Sequence, residues 1–413
     1  MDLQNIKLKE LPLSIIDGDR SSKYPKREEF QSEGVVFLNS TNIFDGRLDL
    51  SDANYISEEK YLSIKKGRVE PGDIVMTTRG SIGKVARIPK GFRGLINAQM
   101  LLIRADEKMF SGAFLFHWLR SEIGQTKLRN FSSGAAQPQI PIRDLQEIEV
   151  PIPSLIAQRR IASILSAYDD LIENNTRRIA ILEEMARRIY EEWFVRFRFP
   201  GHEQVKMVES ELGLIPEGWV AAKLGSLIEF KKGKKPALVS NQWSDGLMPH
   251  LLIDSLRGAD RSEFVTSEKM VATTPNDTIM VMDGSGSCDV FIGYEGVIGS
   301  TLGRYRVSEL SKLSPYWLYL FFVSHLDEIK TKNIGAAIPH ANKDFINGMT
   351  VPLPMHEISN RFDQTISPIF EFVRVMKRKN KNLRATRDLL LPRLISGELD
   401  VSTLPEPEEA IAA

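Results

Sequence analysis

The sequence predicts a duplicated plan: two tandem mixed α/β (α+β) domains, each followed by a long helix whose apolar seam packs against that of the other. Three observations predict it. Residues 154–199 run without Pro or Gly until Pro200-Gly201 closes them, and they carry apolar side chains at heptad spacing. A second Gly-free stretch, 355–393, carries a matching seam displaced by 201 residues. Turn and loop motifs between the helices recur at offsets of 201 to 204 residues, the mark of an internal repeat.

The first domain is expected over residues 1–153. Short β-prone pieces at 34–38, 73–76 and 101–103 alternate with Asp-Gly and Gly turns. A helix is predicted over 111–129, with Phe114, Leu115, Trp118 and Leu119 facing inward. Residues 131–141 contain Ser, Gly and Pro in a pattern that only a loop accommodates. Val150-Pro151-Ile152-Pro153 exits the domain in extended conformation, because a proline disfavours helix in the residue before it. Ser154 is placed to cap the first long helix.

The first helical region covers 154–200. Tyr168, Asn175, Leu182 and Ile189 recur every seven residues, with Ile161 one heptad earlier and Ile164, Leu171 and Met185 at the intermediate positions, and the pattern slips at Arg178, where Ile179 is displaced by one. A helix of about 40 residues is roughly 60 Å long and needs a partner along its apolar side. The partner is the second helical region, 355–400. Its Ile369, Met376, Leu383 and Leu390 lie 201 residues after their counterparts, with Ile366, Val373 and Asn380 as the other row.

Residues 201–354 restate the first domain. Pro71-Gly72-Asp73-Ile74-Val75-Met76 matches Pro275-Asn276-Asp277-Thr278-Ile279-Met280, and the Gly-Ala-Ala loop and the Val-Pro-x-Pro exit recur as well. The copies agree at turns and differ in polar loop residues, as expected of two modules performing one kind of recognition on different targets. The tail, 401–413, is acidic and expected to be disordered.

Composition bounds the function. The chain has 413 residues, 42% hydrophobic and 26% charged, enough for two or three ordinary domains. No apolar run reaches membrane-span length, the first residues form no signal peptide, and Cys288 stands alone. A cytoplasmic protein fits these features. The 54 basic and 54 acidic residues cancel, which argues against a chain that grips a polyanion unaided over its whole surface.

Catalytic motifs fail one by one. There are no adjacent prolines, so the Asp/Asn-Pro-Pro-aromatic loop of amino-methyltransferases is missing. Gly80-Ser81-Ile82-Gly83-Lys84-Val85 lacks the first Gly and the Mg²⁺-holding Ser/Thr of a phosphate loop. The six histidines show no metal-ligand spacing, and His117 reads as a packed helix residue. No catalytic residue, metal site or cofactor site is expected in this chain.

Binding signals remain in the loops. Thr77, Thr78, Arg79, Ser81 and Lys84 combine hydroxyls and cations with backbone-exposing glycines, which suits phosphate oxygens and base edges. Asp283, Ser285 and Ser287 stand in the equivalent loop of the second copy, where an acid can accept from a cytosine amino group. Gln137 and Gln139 offer amides of the kind that pair with adenine; His340, Asn342 and Lys343 occupy the corresponding stretch. Lys231, Lys232, Lys234 and Lys235 form a basic turn suited to phosphates.

With these residues in hand, the chain resembles the specificity (S) subunits of type I restriction–modification systems over nearly its whole length. The resemblance rests on Pro71-Gly72-Asp73-Ile74 with Gly80-Ser81-Ile82-Gly83, on Pro151-Ile152-Pro153 followed by Gln158-Arg159-Arg160-Ile161-Ala162, on Pro216-Glu217-Gly218-Trp219, and on the closing run from Asp388 to Leu399. The second copy departs from the family pattern at 284–287, where Gly-Ser-Gly-Ser replaces Gly-Ser-Ile-Gly. The resemblance implies two target-recognition domains separated by two long antiparallel coiled-coil helices, each domain reading one half of a bipartite, asymmetric double-stranded DNA site. It also implies two modification (methyltransferase) subunits carrying S-adenosylmethionine, restriction subunits carrying ATP and Mg²⁺, and no membrane. Two domains on one side of B-DNA would sit about one helical turn, roughly 34 Å, apart. Three rivals predict otherwise: a coiled-coil protein-interaction scaffold lacks salt-dependent DNA affinity, a stand-alone DNA-binding regulator binds tightly without partners, and a self-sufficient methyltransferase needs the missing loop.

Overall fold

The structure, a computed structural model, describes residues 3–131, 139–258, 263–284, 286–335 and 338–404. The chain divides into two compact units: residues 1–174 with 380–413, and residues 175–379. The divide therefore cuts both long helices, and does not follow the boundaries expected at 153, 200 and 354. Packing against a domain, not sequence continuity, decides which part of a helix belongs where.

In the first unit the core sheet has four antiparallel strands ordered Leu13–Asp17, Met100–Ala105, Ile74–Thr77, Val85–Arg87. The central strands are buried on both faces, which explains their unbroken apolar runs. A second, three-stranded sheet places Val35–Leu38 between Asn54–Ile56 and Gly94–Ile96. The exit strand Glu149–Ile152 pairs with Gln4–Lys7, so the Pro-rich stretch is extended as expected. The second unit repeats the four-stranded sheet as Ile228–Lys232, Leu302–Val307, Thr278–Val281, Val290–Phe291, and its exit strand Thr350–Leu353 pairs with Val220–Lys223. After Pro200-Gly201, Met207–Ser210 and Gly213–Pro216 form a hairpin.

The repeated Pro-x-Asp motif has a structural reason. Asp73 accepts from the Glu70 backbone N–H at 2.8 Å and takes both arms of Arg104 at 2.8 Å. Asp277 does the same with Thr274 at 2.7 Å and Arg306 at 2.6 Å. Each aspartate closes the turn before a core strand and clamps the neighbouring strand, a bidentate pairing that fixes both.

The helix expected over 111–129 is two helices, Gly112–Arg120 and Glu122–Asn130. Ser121 breaks it: its hydroxyl donates to the Trp118 carbonyl and accepts from the Gly124 N–H, starting a new helix. Phe114, Leu115, Trp118 and Leu119 are buried as expected.

The first long helix runs Leu155–Tyr190 and closes with a π turn over Glu191–Val195. Ser154 accepts from the Ala157 N–H at its start. The second runs His356–Ile395. Within each unit the helices pack antiparallel: Asn380 bonds Ile172 and Arg387 pairs with Asp169 in the first, while Lys377 pairs with Glu183 and Phe194 packs on Phe362 in the second.

The seam of the second helix was legible, with Ile366, Val373, Met376 and Asn380 buried and Ile369, Leu383 and Leu390 half-buried. In the first helix the expected row is off by one residue. Leu171 and Met185 are 52% and 46% exposed, Ile161 is buried as expected, and Leu165, Ile172, Ile179 and Ala186 form the buried row. Ile164, Tyr168, Asn175, Leu182 and Ile189 flank it, half-buried. Arg178 marked the error, since no seam buries an unpaired guanidinium there. The tail also needs correction: Val401 is buried in the first unit's core, and Arg160 donates to the Val401 and Ser402 carbonyls. Residues 405–413 lie outside the described residues.

The two domains grip the helices by equivalent caps with different chemistry. The Ser111 N–H donates to Gln158 at 2.9 Å, and the Ser314 N–H to Ser359 at 3.2 Å. Beyond the cap, His117, Arg120, Asp169 and Arg387 form a polar cluster, with Arg120 2.7 Å from the Asp169 carboxylate and Arg387 on its other oxygen. In the second unit Leu320, Val323, Phe370 and Ala186 stand at the matching positions. Burial opposes ionisation of Asp169, but Arg120 and Arg387 outweigh it and hold its carboxyl below the usual range. Burial depresses His117 to about 3, keeping the ring neutral beside Ser166, 3.2 Å away.

Candidate nucleic-acid interface

Two loops meet at the edge of each four-stranded sheet. In the first unit residues 77–84 join the strands Ile74–Thr77 and Val85–Arg87. The Thr77 N–H donates to the Lys84 carbonyl and the Gly83 N–H to the Thr77 carbonyl, both at 3.0 Å, closing the hairpin. Gly80 and Gly83 have φ of +71° and +78°, left-handed values that a side chain resists. The Ile140 N–H then donates to the Thr78 carbonyl at 3.0 Å and Arg79 bridges to Gln139, so Gln139-Ile140 docks on this hairpin.

The second unit repeats the arrangement with a hairpin one residue longer, closed by the Val281 N–H on the Asp289 carbonyl. The Cys288 N–H donates to the Val281 carbonyl, the Ala341 N–H to the Met282 carbonyl, and the Gly284 N–H to the Pro339 carbonyl, at 2.8 to 2.9 Å. Asp283 bridges to His340 as Arg79 does to Gln139. Two loops that sequence reasoning named separately are thus one site in each copy.

The candidate residues divide sharply. Arg79, Ser81, Lys84 and Gln139 are exposed, and their side chains meet no hydrogen-bonding or ionic partner among the described residues. Thr77 and Thr78 are buried and do not face a ligand: their hydroxyls donate to the Ser81 and Gln99 carbonyls. Ser287 is likewise buried, its hydroxyl on the Met282 carbonyl. Asn342 caps the helix Lys343–Gly348 by accepting from the Phe345 N–H at 3.0 Å. Gln137 and Ser285 lie outside the described residues.

Asp283 is not free to accept from a base. One carboxylate oxygen lies 2.7 Å from His340 Nδ1 and the other 3.0 Å from Lys232 Nζ. Burial would raise its pKa, but the bonds from His340 and Lys232 hold it below the carboxylate norm. The lysines are also not a single turn. Lys231 and Lys232 end the strand Ile228–Lys232, and Lys231 sits 3.9 Å from Glu229. Lys234 donates to the Lys269 carbonyl, Lys235 is exposed, and Lys343 lies over the Phe230 ring at 5.0 Å.

Sequence reasoning missed the segment beyond Lys235. Leu238 and Trp243 are 84% and 63% exposed, while Ser240 and Phe264 exchange two backbone hydrogen bonds that hold the loop. The available signal was a tryptophan in a Ser/Asn/Gln/Asp setting. Among the described residues no group of three His, Cys, Asp or Glu could hold a metal ion, and no helix is long and apolar enough to cross a membrane.

Comparison with known proteins gives a consistent result. A family model for the type I restriction modification DNA specificity domain matches residues 2–184 and again 216–385, each match spanning one domain and much of a long helix. The chain is 25% identical over 350 residues to the type I restriction enzyme MjaIX specificity subunit of Methanocaldococcus jannaschii, covering 81% of this chain and 79% of that one. It is 23% identical over 389 residues to the putative type I restriction enzyme MjaX specificity subunit of the same organism, covering 90% and 88%. The crystal structure of a type I restriction–modification S subunit from M. genitalium shares the fold, with a TM-score of 0.58 at 17% identity over 95% of this chain and 96% of that one.

Proposed function

The chain belongs to the family of type I restriction–modification DNA specificity subunits, and from that membership we propose that it is the non-catalytic sequence reader of such a complex. Each domain contacts one half of a bipartite, asymmetric duplex site. The long helices act as spacer and as docking platform for two modification subunits, which carry S-adenosylmethionine. Restriction subunits bring ATP and Mg²⁺.

The observation that carries this reading is the duplicated loop pair. The same backbone hydrogen bonds hold Arg79 against Gln139 and Asp283 against His340, so a shared frame presents different polar groups in each copy. Major-groove edges are distinguished by donor and acceptor patterns, and a frame that varies only these groups suits two different half-sites. A formal net charge of zero agrees with partner subunits completing the phosphate grip.

The test is methylation mapping in cells carrying the complex. Exchanging residues 1–153 for those of a relative should change one half-site and leave the other intact. Removing one heptad from both long helices should change the gap between unaltered half-sites. A changed half-site with an unchanged gap in the heptad variant refutes the spacer role, and DNA modification without sequence preference refutes the reading altogether.

A further inference from the structure

Resting on that reading, we infer that Asp283 is a positioning residue and that His340 Nε2 is the reading atom of the second domain, an acceptor for the amino group of adenine or cytosine. Asp283 is held ionised by Lys232 and His340, so both its oxygens accept only. The ring nitrogen 2.7 Å from it, His340 Nδ1, must therefore carry a hydrogen. In the neutral imidazole this leaves Nε2 as a bare lone pair.

The ring is fixed as well as polarised. The His340 N–H donates to the Ile334 carbonyl at 2.8 Å and the Ile334 N–H returns to the His340 carbonyl at 3.0 Å. Gly335, at φ +91°, lets the ring lie against the backbone: a Cβ there would sit 3.0 Å from His340 Cδ2. The His340 side chain is 45% exposed, and Nε2 meets no hydrogen-bond partner among the described residues. The matching pair in the first domain behaves differently, since Arg79 and Gln139 both leave their polar groups outward and unpaired. The second domain uses one member of the pair to orient the other. An acceptor at a fixed point in the major groove favours an amino base over a keto base on the contacted strand.

Lys232 determines what a neutral substitute for the acid would do. In Asp283→Asn the lysine draws the amide oxygen toward itself and turns the NH₂ toward Nδ1. That nitrogen then accepts, the ring hydrogen moves to Nε2, and the reading atom becomes a donor.

The experiment selects duplexes from a randomised pool with the chain assembled with its modification subunits, and sequences the bound fraction. For the wild type, one position in the half-site of the second domain should favour adenine or cytosine by about tenfold or more. Asp283→Asn should invert that position toward guanine or thymine and leave the rest intact. His340→Ala should erase the preference there alone, and Arg79→Ala should affect only the other half-site. Wild-type preference retained in Asp283→Asn, or uniform weakening at all positions in both variants, overturns the inference. A wild-type complex that enriches no half-site fails the proposed function instead.

Discussion

Asp169 on the first long helix and Arg387 on the second are joined carboxylate to guanidinium inside the first unit, with Arg120 of the domain 2.7 Å from the other carboxylate oxygen. One acid thus ties both helices to the domain. The side chains of Asp169, Arg120 and Arg387 are 16%, 13% and 9% exposed, so removing the acid leaves each half-sequestered cation with its outer partner alone, Asp45 for Arg120 and Asp388 for Arg387.

Asp169→Ala should destabilise the first unit by about 3 kcal/mol, read from hydrogen exchange of the helix Gly112–Arg120. Hydrogen exchange in the second unit should not change. Adding His117→Leu, Arg120→Val and Arg387→Ala to Asp169→Phe copies the set found in the second unit and should restore most of the loss. No recovery would mean that the two junctions are not interchangeable.

The same cluster makes the first unit acid-sensitive. His117 has a folded pKa depressed to about 3 against an ordinary 6.5, so the unfolded chain binds a proton that the folded one refuses. The stabilisation is complete above about 6.5 and falls by up to about 1.4 kcal/mol per pH unit as pH drops toward 3. Asp169, also depressed, adds a loss in the same direction at lower pH. Between pH 7 and 5 the first unit should lose about 2 kcal/mol. His117→Leu should flatten that slope, measured by thermal unfolding at both pH values.

The register of the first long helix can be tested by two leucines. Leu165→Ala, at a fully buried position, should cost about 3 kcal/mol, and Leu171→Ala, at 52% exposure, less than about 0.5. Equal costs in urea unfolding would contradict the seam through Leu165, Ile172, Ile179 and Ala186.

Within the recognition loops, Thr77→Val should lower stability by about 1–2 kcal/mol, because the Thr77 hydroxyl holds the hairpin closed. It should leave base preference unchanged. Arg79→Ala should do the reverse, altering preference at one half-site with little effect on melting. A stable Thr77→Val protein with altered preference would make Thr77 a reader after all.

The duplication, the two long helices and the individual recognition loops were legible because Gly, Pro and heptad residues mark geometry directly; that the loops meet in pairs was not. Nor was orientation. Thr77, Thr78 and Ser287 have the chemistry of readers, but only the fold shows that a sheet covered on both faces and a tight hairpin bury them. Asp283 looked free because its partners, Lys232 and His340, are distant in sequence. The first seam was misplaced by one residue because both rows contain apolar side chains, and only the polar interruption at Arg178 distinguishes them.

The core of the first unit includes Leu391, Leu394, Ile395 and Val401, whereas the second unit is one unbroken segment, 175–379. During synthesis on the ribosome the later half can therefore finish folding while the earlier half still waits for residues 380–401. A nascent chain stalled after residue 379 should expose the unfilled surface of the first domain to chaperones, and a stop codon there should harm the front of the protein more than the part nearest the break.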